Sequence, residues 1–371
     1  VSATATMPGE GIITPPPSIQ TIAARTRFVR YGFCMNEDNL GIRTAEIARF
    51  GFFVGLAMFA VSLYAQAPEQ PLPGEDIAEA VNPIVENPVQ LEITEWPVPW
   101  ADTRPRDPDV APNGVIWLVG QGGDYAARFN PETTEFRRKD LPPGTGPHNL
   151  IIDWDGTIWI AGNRQAFIGK MNYVTGELKR FTMPDETARD PHTLVFSGRN
   201  EIWFTLQWSN MVGRLNKNSG HVDLVPMPTE RARPYGIRMD STNNPWVALL
   251  GTNALAKIDA KTLDLTTITL PRDEARLRRL AITHDDAVWY TDYAQGYIGR
   301  YDPENGEFRE WKTPSEQSGP YAMAADNLGR IWFVETWPQP NLLVGFDPLF
   351  GTFFSVTPIP SGGGALSLIH I

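Results

Sequence analysis

From residue 91 onward the apolar residues fall in short alternating runs, each bounded by Gly, Pro, Asn or Asp. Runs of that length and period predict strands and not helices. They also come in groups with a common order. A group opens near a proline with a short apolar run: Pro147-His148-Asn149-Leu150, Pro191-His192-Thr193-Leu194, Pro234-Tyr235-Gly236-Ile237, Pro320-Tyr321-Ala322-Met323. A turn such as Asp155-Gly156 follows, which suits a hairpin because glycine accepts positive φ. Next comes a tryptophan strand (Ile158-Trp159-Ile160, Ile202-Trp203-Phe204, Ile331-Trp332-Phe333), then one carrying Ile168-Gly169-Lys170, Val212-Gly213-Arg214 or Ile298-Gly299-Arg300. A second turn leads to a fourth run that ends in proline.

The tryptophans set the period. Trp117, Trp159, Trp203, Trp246, Trp289 and Trp332 are separated by 42, 44, 43, 43 and 43 residues. A repeat of that length built from four short strands is a β-propeller blade, and large rings at one register are expected to fill the space between blades. The fourth-strand pattern occurs seven times, first at Leu91–Pro97 and then near Phe136, Leu178, Val222, Leu265, Phe308 and Phe353. An orphan outer strand at residues 91–98 is expected to complete the last blade and remove an exposed edge. The expected fold is therefore all-β, a seven-bladed β-propeller design over residues 91–365 with its last blade truncated: six complete blades plus an N-terminal closing strand. Ser361-Gly362-Gly363-Gly364-Ala365 resembles the start of another repeat, whereas residues 366–371 read as a translated sequencing adapter. The alternative is a six-bladed protein with an ordinary tail.

The N-terminal region changes the picture of location. Phe50 to Ala65 is an apolar run preceded by Arg43 and Arg49 and followed by the small-x-small pattern Ala65-Gln66-Ala67. This predicts a secretory signal peptide over residues 35–67, starting at Met35. The run is short against the roughly 20 residues of a spanning helix, although an uncleaved anchor is the alternative. Residues 1–34 read as upstream sequence, and residues 68–90, rich in Pro and Glu, as a linker. A periplasmic or secreted protein, expected to be monomeric, follows. The net charge of −11 argues against nucleic acid and against anionic membrane surfaces once the signal is cleaved. The only cysteine, Cys34, precedes the signal segment, so the propeller has no disulfide, thiol chemistry or cysteine metal site.

Candidate chemistry narrows to a few residues. Of five histidines, His370 lies in the tail, and His221 and His284 are expected on the surface. His148 and His192 occupy one position in two consecutive blades, so blade symmetry places them side by side at the channel mouth. Asp190 stands two residues before His192. Tyr235 and Tyr321 hold the same position in two further blades and are expected to meet the substrate. Two imidazoles with a carboxylate in a wet cleft can act as general base and acid or hold a divalent metal. The alternative is that Pro-His merely replaces Pro-Tyr at a structural position. Asp292 and Glu335, each three residues after its Trp, are expected near the same mouth as solvated loop ends; the alternative is that they supply charge to a metal there.

The combination Pro-His/Tyr-x-Ile, Gly-x-Ile-Trp-Phe-Thr and Ile-Gly-Arg over residues 89–365 resembles the streptogramin B lyases (virginiamycin B lyases). The resemblance implies a seven-bladed propeller that opens a cyclic ester by elimination with Mg²⁺. On this chain it implies His192 as acid/base, His148 as its partner, and Asp190 and Gln207 at the metal-binding positions. Gln207 is neutral where the family has a carboxylate, and Asp190 is one methylene shorter than the family's Glu. The two histidine blades come second and third here, whereas in the lyases they are the last two. The implied ligand is a small cyclic ester of the streptogramin B type or a related compound. The alternatives are a non-catalytic propeller that binds a ligand or protein at the channel mouth, and a lactonase-type hydrolase.

Overall fold

The structure is a computed structural model that describes residues 22–24 and 84–362. Cys34, the signal segment, most of the linker, and the tail with His370 lie outside the described residues. Six four-stranded antiparallel units follow one another along the chain, each pairing its strands in sequence order. Their first strands are Pro105–Val110, Pro147–Ile152, Pro191–Ser197, Pro234–Met239, Leu277–Ile282 and Pro320–Ala325. These innermost strands pack side by side from the first blade to the sixth.

The core is divided into layers between neighbouring blades. One layer joins Trp117, Val119 and Ala126 of blade one to Leu150 and Ile158 of blade two. Similar layers join blades two and three, three and four, four and five, and five and six. Trp159, Trp203, Trp246 and Trp289 are fully buried in them, as the period predicts. Most of the rings are also fixed by their indole N–H. Trp159, Trp246 and Trp332 donate to Asp153, Asp240 and Asp326 at 3.3, 3.1 and 3.0 Å, each acceptor six residues upstream in the preceding turn. Thr283 serves Trp289 in the same way at 3.3 Å.

The glycine of the third strand has a steric cause. Gly213 pairs with Phe204 and Gly299 with Tyr290 across their ladders. A Cβ at either glycine would overlap the partner's ring, so the aromatic lies flat over the bare backbone.

The N-terminal segment departs from expectation. Ile84–Val89, assigned to the linker by sequence, pairs in parallel with the outer strand Thr352–Pro358 and makes the sixth sheet five-stranded. The expected closing strand at residues 91–98 does not join that sheet; its Ile93–Glu95 pairs with Ile22–Ala24. The apolar side chains of this stretch nevertheless cover two faces. Leu91 and Ile93 pack on Ala322, Val334 and Leu343 of blade six. Val98 and Trp100 pack on Leu118, Tyr125 and Ala127 of blade one. The described residues thus form six blades, and one extended segment, in place of a seventh sheet, covers the faces of the sixth and the first.

Candidate functional site

The innermost strands share a local distortion that builds the site. In all six, the pairing with the second strand shifts register: right after the first residue in five blades, as between Pro147 and Leu150 or Pro191 and Leu194, and one residue later, between Arg106 and Asp109, in blade one. A β-bulge at that point re-aims side chains. Here residues at or beside the bulge gather in two tiers at the centre. The first tier is Arg106, His148, His192, Tyr235, Arg278 and Tyr321. The second includes Asp107, Asn149, Thr193 and Arg279.

The second tier is a closed polar plug. Arg279 of blade five reaches Asp107 of blade one, with Nη2 at 3.1 and 3.2 Å from its two carboxylate oxygens. Asn149 Nδ2 donates to the same carboxylate at 3.3 Å, and Asn149 Oδ1 accepts the Leu194 amide at 2.9 Å. Arg279 Nη1 donates to Thr193 Oγ1 at 3.3 Å. Gly236 leaves room for this crossing, because a Cβ there would press on the backbone of Arg278 and Arg279. Burial pushes the Asp107 carboxyl up, but Arg279 and Arg106 outweigh it and hold the group below the usual carboxylate range.

The two histidines meet in the first tier. Their ring centroids lie 3.7 Å apart with an interplanar angle of 34°. They are 5 % and 3 % exposed, so the expected wet cleft is replaced by a nearly dry one. Burial is the main reason that both imidazoles are held well below their ordinary pKa. The Arg106 and Arg279 charges add to it at His148, and His148 and Arg279 add to it at His192. These surroundings favour the neutral form of both rings. His192 Nδ1 lies 2.8 Å from Thr193 Oγ1. His148 Nδ1 has no hydrogen-bond partner and stands 3.8 Å from Asp107 Oδ2.

Tyr235 packs on His192 at 4.3 Å between centroids, and its hydroxyl meets that of Tyr321 in a short hydrogen bond. Burial, reinforced by Tyr235, raises the Tyr321 phenol. Four of the six expected site residues, His148, His192, Tyr235 and Tyr321, thus form one cluster.

Asp190 and Gln207 do not complete a metal site. Asp190 has φ of 57° and turns the chain into the inner strand. Its carboxylate accepts the amides of Trp208 and Ser209 at 2.8 and 3.1 Å and the Ser209 hydroxyl at 2.9 Å. Those bonds fix the following loop, and Gln207 brings no charge. Among the described residues, no group of three or more His, Cys, Asp or Glu side chains is placed to hold a metal. Magnesium prefers several hard, charged oxygens in near-octahedral geometry, and these residues do not fit it. Asp292 and Glu335 are not solvated loop ends. Both are fully buried, Asp292 accepting the Arg276 amide at 2.9 Å and Glu335 the Ser315 amide at 3.1 Å and its hydroxyl.

The arginines and Asp107 were absent from the sequence expectation because that motif was keyed to proline followed by His or Tyr. Blade five has Leu277 in place of the proline, and blade one follows its proline with arginine. A count of eleven residues back from each Trp reaches all six first-tier positions.

Comparison with known proteins agrees with this architecture. The model of the virginiamycin B lyase family matches residues 91–339. No curated protein matches the chain. Selenomethionine-substituted virginiamycin B lyase from Staphylococcus aureus is 25% identical with a TM-score of 0.63, covering 70% of this chain and 85% of that one. A streptogramin B lyase structure is 22% identical with a TM-score of 0.66, covering 74% and 88%. A catalytically inactive virginiamycin B lyase from Staphylococcus aureus with quinupristin is 21% identical with a TM-score of 0.60, covering 66% and 81%. The last two show likeness of fold.

Proposed function

Because the chain belongs to the virginiamycin B lyase family, whose model covers most of the propeller, we propose that it is a lyase that opens a cyclic ester by elimination at the His148–His192 pair. The observation that carries this reading is a buried His192, packed at a tilt against His148 and held through Nδ1 by Thr193, in surroundings that favour its neutral form. If His192 donates its Nδ1 proton to Thr193 Oγ1, the Nε2 lone pair is free to act as a base. It takes the proton from the carbon next to a carbonyl. The electron pair of that C–H bond forms the new double bond, and the ester carboxylate leaves from the neighbouring carbon. Negative charge builds on the carbonyl oxygen and then on the leaving carboxylate. Arg106 and Arg278, in the same tier as the histidines, supply positive charge to meet it. No step is assigned to magnesium, since the donor set does not suit it.

The test is to incubate the full chain with a streptogramin B such as quinupristin. A linear unsaturated product of unchanged mass is expected, and His192→Ala should lower the rate by about 10²–10⁴-fold. A product heavier by one water would instead establish a hydrolase. The burial of both rings favours a second reading, a propeller that binds its ligand at this end without turning it over. That reading predicts no product and unchanged ligand affinity in His148→Ala and His192→Ala.

A further inference from the structure

The chain as a whole is acidic, with 43 Asp and Glu against 32 Lys and Arg. Its centre has the opposite sign. Arg106, Arg278 and Arg279 converge there with Asp107, which Arg279 and Asn149 already occupy, and the buried Arg238 lies within electrostatic reach of Arg279, Asp107 and Asp109. Arg104, exposed just before the first inner strand, lies within electrostatic reach of Arg106, Tyr235 and Tyr321. Arg106 is 8 % exposed and donates to the neutral Gln121 Oε1 at 3.1 Å. Arg278 stands 5.0, 4.5 and 5.0 Å from the ring centroids of Tyr235, Tyr293 and Tyr321, and its buried Nε has no acceptor. Among the described residues, none of Arg104, Arg106 and Arg278 has a carboxylate partner.

Drawing a guanidinium from water without a paired carboxylate is costly, and this bears on the buried Arg106, which shares the charge of Asp107 with Arg279; Arg104 is exposed and Arg278 half-buried. Their gathering, together with the Arg278 Nε that lacks an acceptor, makes a cluster rich in donors and short of acceptors. A planar guanidinium fork matches a planar oxyanion. The three tyrosine rings hold the Arg278 fork in place, and Trp337 packs edge-on against Tyr293 at 5.3 Å to extend an aromatic wall beside it.

We propose that Arg104, Arg106 and Arg278 form a carboxylate-binding site at the entrance of the central cluster, suited to a carboxylate that carries an aromatic group. The proposal rests on the lyase reading only in identifying that carboxylate with the group released by elimination. Binding itself requires no turnover.

The test is calorimetric titration of the full chain with phenylacetate and with phenylacetamide, its neutral counterpart of the same shape. Phenylacetate is expected to bind, about 10-fold or more tighter than the amide, with affinity that falls as salt is added. Arg278→Gln should weaken phenylacetate by about 10-fold and leave the amide unchanged. Arg104→Gln, an exposed change that does not disturb packing, should weaken phenylacetate in the same direction. His192→Ala should retain phenylacetate binding while losing elimination, so failure of catalysis and failure of this site are separable. Equal affinity for acid and amide, no binding of either at millimolar concentration, or unchanged affinity in both arginine variants would overturn the proposal. Inorganic phosphate that competes as well as phenylacetate would also overturn the assignment to a carboxylate.

Discussion

At the scale of single residues, the histidine pair makes acid the sensitive condition for this molecule. Both imidazoles have folded-state pKa values well below the ordinary value of about 6.5. As pH falls below that value, the unfolded chain takes up protons before the folded one does. The stability they contribute is therefore fully present above about pH 6.5 and is lost as pH falls toward the folded-state values. Asp107, held below the usual carboxylate range, stays ionised across this window and adds no slope. Thermal unfolding followed from pH 7 to pH 5 should show a falling midpoint, and replacing both histidines by Gln should flatten that fall. A slope that survives the double substitution would place the acid sensitivity elsewhere. Thr193 makes a second prediction. Thr193→Val keeps the shape but removes the oxygen that meets His192 Nδ1 and Arg279. It should lower kcat by about 10-fold, as for a lost hydrogen bond to a charge-bearing group, with KM little changed; an equal rise in KM would assign Thr193 to binding. The sequence made the two histidines legible because equal blade positions become neighbours. It hid Asp107 and Arg279, because their partnership crosses the ring between residues 172 positions apart.

Among the elements, the blade was legible for local reasons. Tryptophan, proline and turn residues recur at fixed offsets, and each offset corresponds to a contact within one sheet. The Asp-x₅-Trp spacing carries a contact of the same kind. Asp240 accepts the Trp246 indole at 3.1 Å, the Thr242 amide and hydroxyl at 3.0 and 2.7 Å, and the Asn244 amide at 2.8 Å. Asp240→Ala strands these donors, one of them a buried indole, and should cost about 1–3 kcal/mol, read as a lower midpoint in urea with an unchanged slope. Asp240→Asn keeps an acceptor and should recover a measurable part of that loss. If the Ala and Asn variants unfold at the same midpoint, the acceptor is not what fixes the turn. The strand bulges were not legible, because a register shift depends on the neighbouring strand and leaves no fixed residue type at the shifted position. The burial of Asp292 and Glu335 was missed for a related reason: their amide partners sit 16 and 20 residues upstream, in the loop that enters the blade.

For the whole molecule, the question is what closes the ring. Periodicity counts repeats but cannot say which segment covers the faces left by the first and last of them. Blade six offers Val334 and Leu343, and blade one offers Leu118 and Tyr125. These faces are as apolar as the layers between the other blades, and left open they would be adhesive. Residues 91–100 cover both. Trp100 stands 5.0 Å from Tyr125 and 6.2 Å from Phe136, both edge-on, and Trp96 lies 5.1 Å from Phe129. The preceding strand is tied to blade six by Ser355 Oγ donating to the Val89 carbonyl at 2.7 Å and by the Leu91 amide donating to Thr357 Oγ1 at 3.1 Å. If this segment is the clasp, Trp100→Ala should cost about 2 kcal/mol or more, below the 3–5 kcal/mol of a fully buried tryptophan because the ring is only half-buried. Deleting residues 84–100 should do more than add up such losses. It should uncover both faces together, so the variant should bind a hydrophobic dye and self-associate while its far-UV signal keeps the β-sheet form. A deletion variant that stays monomeric, binds no dye and unfolds at the parent temperature would mean that the first and sixth blades are covered by other means. The segment would then be an accessory strap, and the centre of the ring would not depend on it.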